Sequence, residues 1–399
     1  MKTQKLKSGC AGRTGPNIRS DCFVTITLTE RGGITIDLKS KVESLYGASI
    51  RSQVKTILSH FGIRNADVNI EDQGAVPFVI AARVETAVKR AVPGMDKEFI
   101  EGAVTRTKKT ERDHLRRTRL YLPGNEPHYF LNAGLHKPDC IILDLEDSVA
   151  PTEKDSARIL VRNALLNVDF GKAEKMVRIN PFPLGFEDLR MIVPHHVQVI
   201  LIPKCESAEQ IAEIDAAIES VLNQYTIKRN LFLLPIIESA LGVERAFEIA
   251  SASTWICALS IGLEDYTADI GVARTKAGTE SLFARSAVIN AAKAAGIQAL
   301  DSVFSDVNDE DGLRNSVLEA KAIGFDGKGC IHPRQIHVIH EAFAPTAAEI
   351  DYAQRVIAAF NEARKNGSGV VALGSKMIDA PVVKRAQRIL AVAASTSKK

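Results

Sequence analysis

The chain has 399 residues, of which 45% are hydrophobic and 25% are charged, and its formal net charge is +3. This length allows two or three domains with a sizeable core, and the composition is that of an ordinary globular protein. Because both signs of charge are mixed along the chain and no window approaches about 18 uninterrupted apolar residues, we expect neither nucleic acid nor a membrane as a partner.

The cysteines and the N-terminus indicate the compartment. The opening stretch, MKTQKLKSGCAGRTGPN, is basic and lacks the apolar segment of a signal peptide. Six cysteines are scattered singly, with no C-x-x-C pair, and several fall in predicted strands, where a free thiol behaves as a small hydrophobe. The sequence therefore predicts a cytoplasmic protein with no disulfide framework and no zinc site.

The sequence of residues 1–92 predicts a small α+β domain, which begins with strands of alternating apolar and polar residues. The stretches FVTITL (23–28) and ITIDL (34–38) both alternate apolar and polar residues, and Gly32 and Gly33 lie between them. This pattern predicts a β-hairpin with a glycine-bearing loop.

The rest of this domain is predicted to contain a helix, a short strand and an alanine-rich element. Residues 41–61 have the apolar spacing of an amphipathic helix that is closed by Gly62. A short strand, DVNIE (67–71), and an alanine-rich element at 78–92 follow. The charged, polar segment 93–117 is predicted to be a partly helical linker.

From Thr118 onward, eight strand-like apolar runs alternate with helical patterns. The runs are RLYLPG, CIILDLED, KMVRIN, VQVILIPK, LFLLPIIES, TWICALSIGLED, QALDSVFSD and GKGCIHP. Eight strand–helix units predict a (β/α)8 TIM barrel at 118–345, with a C-terminal helical extension at 346–399. The alternative is an open doubly wound sheet, which normally has fewer strands and a glycine-rich first turn that RLYLPGNEP does not match.

The carboxyl ends of these runs are rich in ionisable residues. They carry Asp144, Glu146, Asp147, Arg178, Lys204, Glu206, Glu238, Glu264, Asp265, Asp301, Asp306 and His332. A single such residue is usually only solvated at its strand end, but a barrel brings all of these ends to one mouth, where active sites lie. The series therefore predicts an active site, in which Arg178 and Lys204 offset the repulsion among the carboxylates.

Glu238 and Asp265 follow neighbouring barrel strands and predict a metal site. Two hard oxygen donors that leave room for water and substrate are typical of Mg²⁺ binding. An open divalent ion beside Arg178 suits an α-keto or α-hydroxy carboxylate, which the arginine would hold as a bidentate fork. The residues alone thus indicate a metal-dependent lyase or aldolase that acts on an oxo-acid.

Eight stretches between Arg116 and Gln387 resemble one family. They are RLYLPGNEP, CIILDLEDSVAPTEKDSAR, VRIN, LIPKCES, PIIESALG, GLEDYTADIG, FDGKGCIHPRQI and GSKMIDAPVVKRAQ. They look like the citrate lyase β-subunit family, which includes malyl-CoA and citramalyl-CoA lyases within the HpcH/HpaI aldolase superfamily. The resemblance implies a TIM barrel, usually in a trimer, that uses Mg²⁺ to cleave a carbon–carbon bond in a β-hydroxyacyl thioester.

The resemblance also implies roles for individual residues. It assigns Mg²⁺ to Glu238 and Asp265, in agreement with the reasoning above, and the oxo-acid part of the substrate to Arg178. The residues that match contacts to the thioester are Tyr121, Ile331 and His332.

Asp379 matches the acid/base residue of the family, which the C-terminal segment supplies to a neighbouring subunit. Without the surrounding GSKMIDAP, this aspartate would be expected to cap a helix. One departure concerns the lysines that meet the nucleotide phosphates in CoA-using members. His128 and Asn132 stand at those positions, which would suit a thioester on a carrier arm better than free CoA.

Residues 1–92 resemble the acyl carrier (γ) subunit of citrate lyase. That subunit bears a phosphoribosyl-dephospho-CoA arm on a serine just before an aspartate and a strand. Here Arg19 falls at the acceptor position and Ser20 follows it. Two alternatives remain open, namely that Ser20 carries the arm or that the module has lost it and Ser20 only opens the first strand.

The function these observations favour is a retro-Claisen lyase for a citryl, citramalyl or malyl thioester, carried on an acyl carrier or on CoA. The citryl thioester, which gives oxaloacetate and an acetyl thioester, is preferred, and an acyl-transferase (α) subunit is a candidate partner. The alternatives are an HpcH-type aldolase for free oxo-acids, and a noncatalytic carrier or scaffold subunit. The retained Asp379 segment argues against the first, and the complete set of site residues argues against the second.

Overall fold

The protein is described by a computed structural model that covers residues 7–102, 109–365, 371–373 and 376–397. Its N-terminal module contains four strands and two helices. They are β1 (Ser8–Gly12), β2 (Cys22–Leu28), β3 (Ile34–Ser40), α1 (Glu43–His60), β4 (Ala66–Asp72) and α2 (Pro77–Ala91). The small α+β module predicted from the sequence is therefore present.

The predicted hairpin of β2 and β3 is wrong. The sheet order is β1-β2-β4-β3, so that β4 lies between β2 and β3 and pairs with β3 in parallel. In β4, alternate residues from Ala66 to Asp72 are buried, whereas Leu38 is the only buried residue of β3. The strand with the more apolar face takes the interior position, and the crossover through α1 makes β3 and β4 parallel.

The second module is a closed barrel of eight parallel strands. Its strands are β5 (Thr118–Pro123), β6 (Cys140–Asp144), β7 (Glu174–Arg178), β8 (Val199–Ile202), β9 (Phe232–Ile237), β10 (Ala258–Ile261), β11 (Gln298–Val303) and β12 (Gly327–Cys330). The TIM barrel predicted from the eight apolar runs is thus confirmed.

Helices surround the barrel. They are α3 (Pro127–Leu131), α4 (Lys154–Asn167), α5 (Leu184–Ile192), α6 (Ala208–Tyr225), α7 (Ala240–Glu244), α8 (Ala246–Ser251), α9 (Leu263–Asp269), α10 (Leu282–Ala294), α11 (Glu310–Ile323) and α12 (Arg334–Phe343). Short 3₁₀ turns lie at Ala133–His136, Pro151–Glu153 and Thr279–Ser281. Helix α6 begins with a complete capping box formed by Ser207 and Gln210.

The strands are apolar throughout because both of their faces are covered. In β6, Cys140 and Ile142 belong to the cluster that fills the barrel, while Ile141 and Leu143 pack outward against the helices. The six cysteines are all free thiols, and no helix among the described residues is long and apolar enough to cross a membrane.

The C-terminal extension is a helical hairpin with a small core of its own. It consists of α13 (Ala347–Lys365), β13 (Val371–Leu373), β14 (Lys376–Ile378) and α14 (Ala380–Ser397), with the two short strands paired antiparallel. Its core is formed by Ala353, Val356, Ile378, Val383 and Ala386.

The segment 93–117 is described at 93–102 and 109–117, and these described residues contain no helix, although partial helix was predicted. Both of its described parts are tied to the modules. The N–H of Phe99 donates to Glu85 Oε2 at 3.1 Å, and Arg116 Nε donates to Glu174 Oε2 at 2.7 Å. The rest of the linker, 103–108, lies outside the described residues.

Helix α2 packs against the barrel helix α4 and joins the two modules through buried arginines. Arg83 binds both carboxylate oxygens of Asp21 within its own module, at 2.9 and 2.8 Å, and donates to Ser156 Oγ at 2.7 Å and Asn125 O at 3.2 Å in the barrel. From the barrel side, Arg162 Nη2 donates to Glu85 Oε2 at 2.7 Å.

We predict that Arg83→Met lowers the free energy of unfolding by about 3–5 kcal/mol, because it leaves the buried carboxylate of Asp21 without its cation. Urea unfolding of the full chain measures this loss. Arg90→Met is the matched control, since Arg90 also joins α2 to the barrel by pairing with Asp155, but both of these side chains are partly exposed, and we expect a loss of about 1 kcal/mol or less. Equal losses in the two variants would contradict this view of the interface.

Candidate active site

The carboxyl ends of the barrel strands surround a cavity of about 460 Å³. Nine residues expected from the sequence line it, namely Tyr121, Asp144, Asp147, Arg178, Glu238, Glu264, Asp265, Asp301 and Ile331. They come from different strands or from the residues just after them, so the closure of the barrel is what brings them together.

Glu238 follows β9 and is 5% exposed. Its Oε1 accepts a hydrogen bond of 2.6 Å from the backbone N–H of Lys204, which follows β8. Its Oε2 lies against Gly262, where an added Cβ would come within 2.4 Å of that oxygen. The absence of a side chain at Gly262 is therefore what leaves room for the Glu238 carboxylate.

Asp265 lies in the first turn of α9, directly after β10, and β10 pairs with β9. Burial raises the pKa of Glu238 to about 8, and the charges of Asp265 and Glu146 act in the same direction. A divalent cation beside these two carboxylates would offset both the burial and the repulsion. Two hard oxygen donors next to an open cavity fit Mg²⁺.

Arg178 ends β7 and is held on one side by Asp144. Its Nε and Nη2 donate to the two carboxylate oxygens of Asp144 at 2.6 and 2.7 Å. Although burial opposes its charge, the hydrogen bonds and charge of Asp144 raise the pKa of Arg178, so that the guanidinium stays protonated. Its Nη1 faces Glu146 at 2.6 Å and Asp147 at 3.2 Å.

A second cation, Lys204, follows β8, and its side chain is 45% exposed. Its Nζ donates to Glu146 Oε1 at 2.9 Å, and this hydrogen bond is the main reason why the pKa of Lys204 is raised. Burial raises the pKa of Glu146 in spite of the opposing charge of Arg178. As the sequence predicted, Arg178 and Lys204 offset the carboxylates that follow β6.

Tyr121 and Ile331 belong to the apolar part of the cavity lining. The ring of Tyr121 lies 5.6 Å from the guanidinium carbon of Arg178, in cation–π geometry. Burial raises the pKa of the Tyr121 hydroxyl, which remains protonated at neutral pH. Ile331 is 42% exposed at the rim, where an apolar side chain is available to a ligand.

Four of the predicted strand-end residues, Glu146, Lys204, Glu206 and Asp306, do not line this cavity. Three residues singled out by the resemblance also lie outside its lining. His332 Nδ1 accepts the backbone N–H of Arg334 at 3.1 Å at the start of α12. Asp379 Oδ1 accepts the N–H of Val382 at 3.3 Å and so caps α14. Ser20 lies in the N-terminal module, just before β2.

The sequence reasoning missed Arg119, which lines the floor of the cavity. Arg119 precedes Tyr121 by two positions on β5, so the two side chains share the inward face of the strand. An arginine within the otherwise apolar run RLYLP was the available signal.

A separate group of metal-ligand types lies at the opposite end of the barrel, where β6 and β7 begin. His114, Cys140 and Glu174 present ligand atoms within 4.8 Å of one another. Both oxygens of Glu174 already accept from Arg116, at 2.7 and 2.8 Å. The guanidinium of Arg116 therefore already supplies Glu174 with the positive charge that a metal ion would bring.

Family models match both modules. The model of HpcH/HpaI aldolase/citrate lyase matches residues 117–333, and the model of the malonate decarboxylase delta subunit (MdcD) matches residues 11–91. The first match covers the strands that form the cavity, and the second covers most of the N-terminal module.

Similar proteins support the same assignment for the barrel. Citrate lyase subunit beta of Leuconostoc mesenteroides subsp. cremoris is 43% identical over 284 residues, which are 70% of this chain and 94% of that protein. Mitochondrial citramalyl-CoA lyase of Rattus norvegicus is 36% identical over 296 residues, 71% of this chain and 88% of that protein.

Among solved structures, protein CitE from Mycobacterium tuberculosis in complex with magnesium, acetoacetate and coenzyme A matches with a TM-score of 0.59. It is 31% identical and covers 71% of this chain and 100% of its own. The chain therefore belongs to the HpcH/HpaI aldolase/citrate lyase family, as an oxo-acid lyase of the citrate lyase β type that carries an MdcD-like module at its N-terminus.

Proposed function

We propose that this protein cleaves the carbon–carbon bond of a β-hydroxyacyl thioester in a Mg²⁺-dependent reaction, which gives an α-keto acid and a shorter acyl thioester. Within this class we propose the citryl thioester, whose cleavage gives oxaloacetate and an acetyl thioester. The observation that carries the proposal is the convergence of Glu238, Asp265 and Arg178 on one cavity. The ligands of the Mycobacterium tuberculosis protein, magnesium, acetoacetate and coenzyme A, support it by analogy.

Glu238 and Asp265 would hold the metal, and Arg178 would hold the carboxylate of the keto-acid part. When bound, Mg²⁺ supplies Lewis acidity that stabilises negative charge on the substrate oxygens. Asp144 holds the guanidinium of Arg178 through Nε and Nη2, so that Nη1, which also faces Glu146 at 2.6 Å, is the nitrogen that would meet the substrate. The side chain of Asp147 is 55% exposed and pairs with Nη1 at 3.2 Å, so we propose that the substrate carboxylate takes its place.

Cleavage requires loss of the hydroxyl proton and then protonation of the enolate of the acyl thioester. Tyr121 and Ile331 would exclude water from the thioester side of the cavity, and we propose that His332 contacts the thioester from the rim. We propose Asp379 as the acid that protonates the enolate. Since Asp379 caps α14 and does not line the cavity of its own chain, it would act in a neighbouring copy within a homo-oligomer, for which we propose a trimer.

We predict that Glu238→Gln and Asp265→Asn each lower Mg²⁺-dependent kcat/KM at least about a hundredfold, because each removes a charged metal ligand. Release of oxaloacetate, pyruvate or glyoxylate from the matching thioesters measures this loss. Gly262→Ala should also weaken Mg²⁺ binding, since its Cβ would displace Glu238 Oε2. Gly102→Ala is the matched control, because a Cβ there meets nothing within 4 Å. Near wild-type turnover in Glu238→Gln would rule out this metal site.

We predict that the inactive variants Asp379→Ala and Arg178→Ala restore one another when they are refolded together. With random mixing, roughly a quarter of the cavities then combine an intact Arg178 with an intact Asp379 from a neighbour. Recovery of about this fraction of wild-type activity is the expected result. Mixed oligomers of proven composition without any recovery would show that Asp379 does not act in a neighbouring cavity.

For the N-terminal module we propose that Ser20 carries a phosphoribosyl-dephospho-CoA arm and that an acyl-transferase (α) subunit loads it. Ser20 has a positive φ of 55° and donates its N–H to Gln73 O at 3.1 Å. The next residue, Asp21, is bound by Arg83, which also contacts Asn125 O in the loop after β5. This docking, rather than a flexible linker, would keep the arm beside the barrel mouth.

We predict that protein from its native cells shows the mass of this arm on the peptide that contains Ser20. Peptide mass spectrometry detects the adduct, and Ser20→Ala should abolish it while the unfolding midpoint is unchanged. The adduct should make carrier-bound substrate better than free CoA thioesters. An unmodified Ser20 together with full activity on free CoA thioesters would overturn the carrier role.

A further inference from the structure

Arg119 is a buried arginine without a carboxylate partner among the described residues. It is 1% exposed and lines the floor of the cavity. Its Nη1 donates to Ser260 Oγ at 3.0 Å and its Nη2 donates to Asp301 O at 2.6 Å, which are both uncharged acceptors. Its Nε has no hydrogen-bond partner in the described part of the chain. A buried charge in this state is unfavourable unless an anion joins it.

The neighbouring carboxylate of Asp301 pairs with other cations through its Oδ2, while its Oδ1 has no hydrogen-bond partner in the described part of the chain. Its Oδ2 accepts from Lys328 Nζ at 2.6 Å and pairs with Arg285 Nη2 at 3.3 Å. Lys328 is also buried, and Arg285 reaches a second carboxylate, Glu319, at 2.6 Å. Lys328 and Arg285 do not line the cavity, so Arg119 is the cation at its floor that no carboxylate oxygen binds among the described residues.

The strand register gives the spacing between Arg119 and the proposed metal ligand Glu238. Ser260, which binds Arg119, pairs with Ile236 in the neighbouring strand. Glu238 lies two residues further along that strand, or about 6.6 Å nearer the mouth. A four-carbon dicarboxylate whose keto-acid end lies at Glu238 would therefore extend its other carboxylate one barrel layer deeper, toward Arg119.

We propose that Arg119 forms a second carboxylate subsite, which binds the distal carboxylate of a dicarboxylic keto acid such as oxaloacetate and selects citryl over citramalyl and malyl thioesters. The selection rests on the proposed lyase function. Citramalyl and malyl thioesters have one free carboxylate, which Arg178 would hold, so they leave Arg119 without an anion. A citryl thioester has two free carboxylates and satisfies both arginines.

The test compares Arg119→Met with wild type on citryl and citramalyl thioesters. We expect the ratio of the two kcat/KM values to fall about tenfold to hundredfold, because a charge-assisted hydrogen bond is lost for the citryl substrate alone. Arg285→Met is the matched control, since it removes a buried arginine from the same Asp301 but Arg285 does not line the cavity. For Arg285→Met, the ratio of kcat/KM for the citryl thioester to kcat/KM for the citramalyl thioester should stay within twofold of the wild-type ratio.

A binding measurement separates this subsite from the lyase activity. In the presence of Mg²⁺, titration calorimetry should show that wild type binds oxaloacetate more tightly than pyruvate, and that Arg119→Met loses this preference. That result would support the subsite even if wild type cleaved no thioester, whereas the proposed function would then fail. Should Arg119→Met not fold, Arg119→Lys keeps the charge and should retain a preference for oxaloacetate. A parallel loss for both substrates and both keto acids in Arg119→Met, or an unchanged preference, would overturn the subsite.

Discussion

The accumulation of carboxylates at the barrel mouth is the constraint on which the site depends. Parallel strands in a closed barrel end at one rim, so the acidic residues that follow them repel one another wherever they are placed. Arg178 neutralises the group that follows β6, and it does so while held in place by Asp144. Glu238 and Asp265 form no ion pair with a basic side chain among the described residues. Burial, reinforced by the charges of Asp265 and Glu146, raises the pKa of Glu238. An acidic pair beside a guanidinium that is held in place suits a divalent cation, which the carboxylates would bind, together with an anionic substrate, which the guanidinium would bind.

The N-terminal module packs directly against the barrel. Its contact helix α2 presents Arg83, which donates to the uncharged oxygens of Ser156 and Asn125 in the barrel. The same helix presents Glu85, whose buried carboxylate pairs with Arg162 of the barrel. Buried pairs of this kind contribute less to stability than to register, because a misplaced docking leaves charges uncompensated. The contact of Arg83 with Asn125 ties this register to the loop that follows β5. These contacts place the module against the barrel, next to the loop that follows β5.

The barrel was predictable from local patterns, whereas the N-terminal sheet was only partly so. Eight apolar runs separated by amphipathic helices leave little choice of fold, because strands covered on both faces must lie in a parallel sheet under helices. The order of strands in a small mixed sheet is a different problem. Alternation identified β2 and β3, but an alternating pattern does not name the partner of a strand. The greater burial of β4 and the crossover through α1 decided that β4 lies between them.

By itself, the sequence determined the two-module organisation, the eight-stranded barrel and the residues at the strand ends, because periodicity and strand termini are local properties. The resemblance extended that set to Tyr121, Ile331, His332 and Asp379, of which the first two line the cavity. Only the tertiary structure decided which of these side chains line the same cavity. The buried charge of Arg119, the room that Gly262 leaves for Glu238 and the docking through Arg83 depend on atoms far apart in the chain. No local pattern encodes such contacts, since each arises only when the barrel closes and the modules pack.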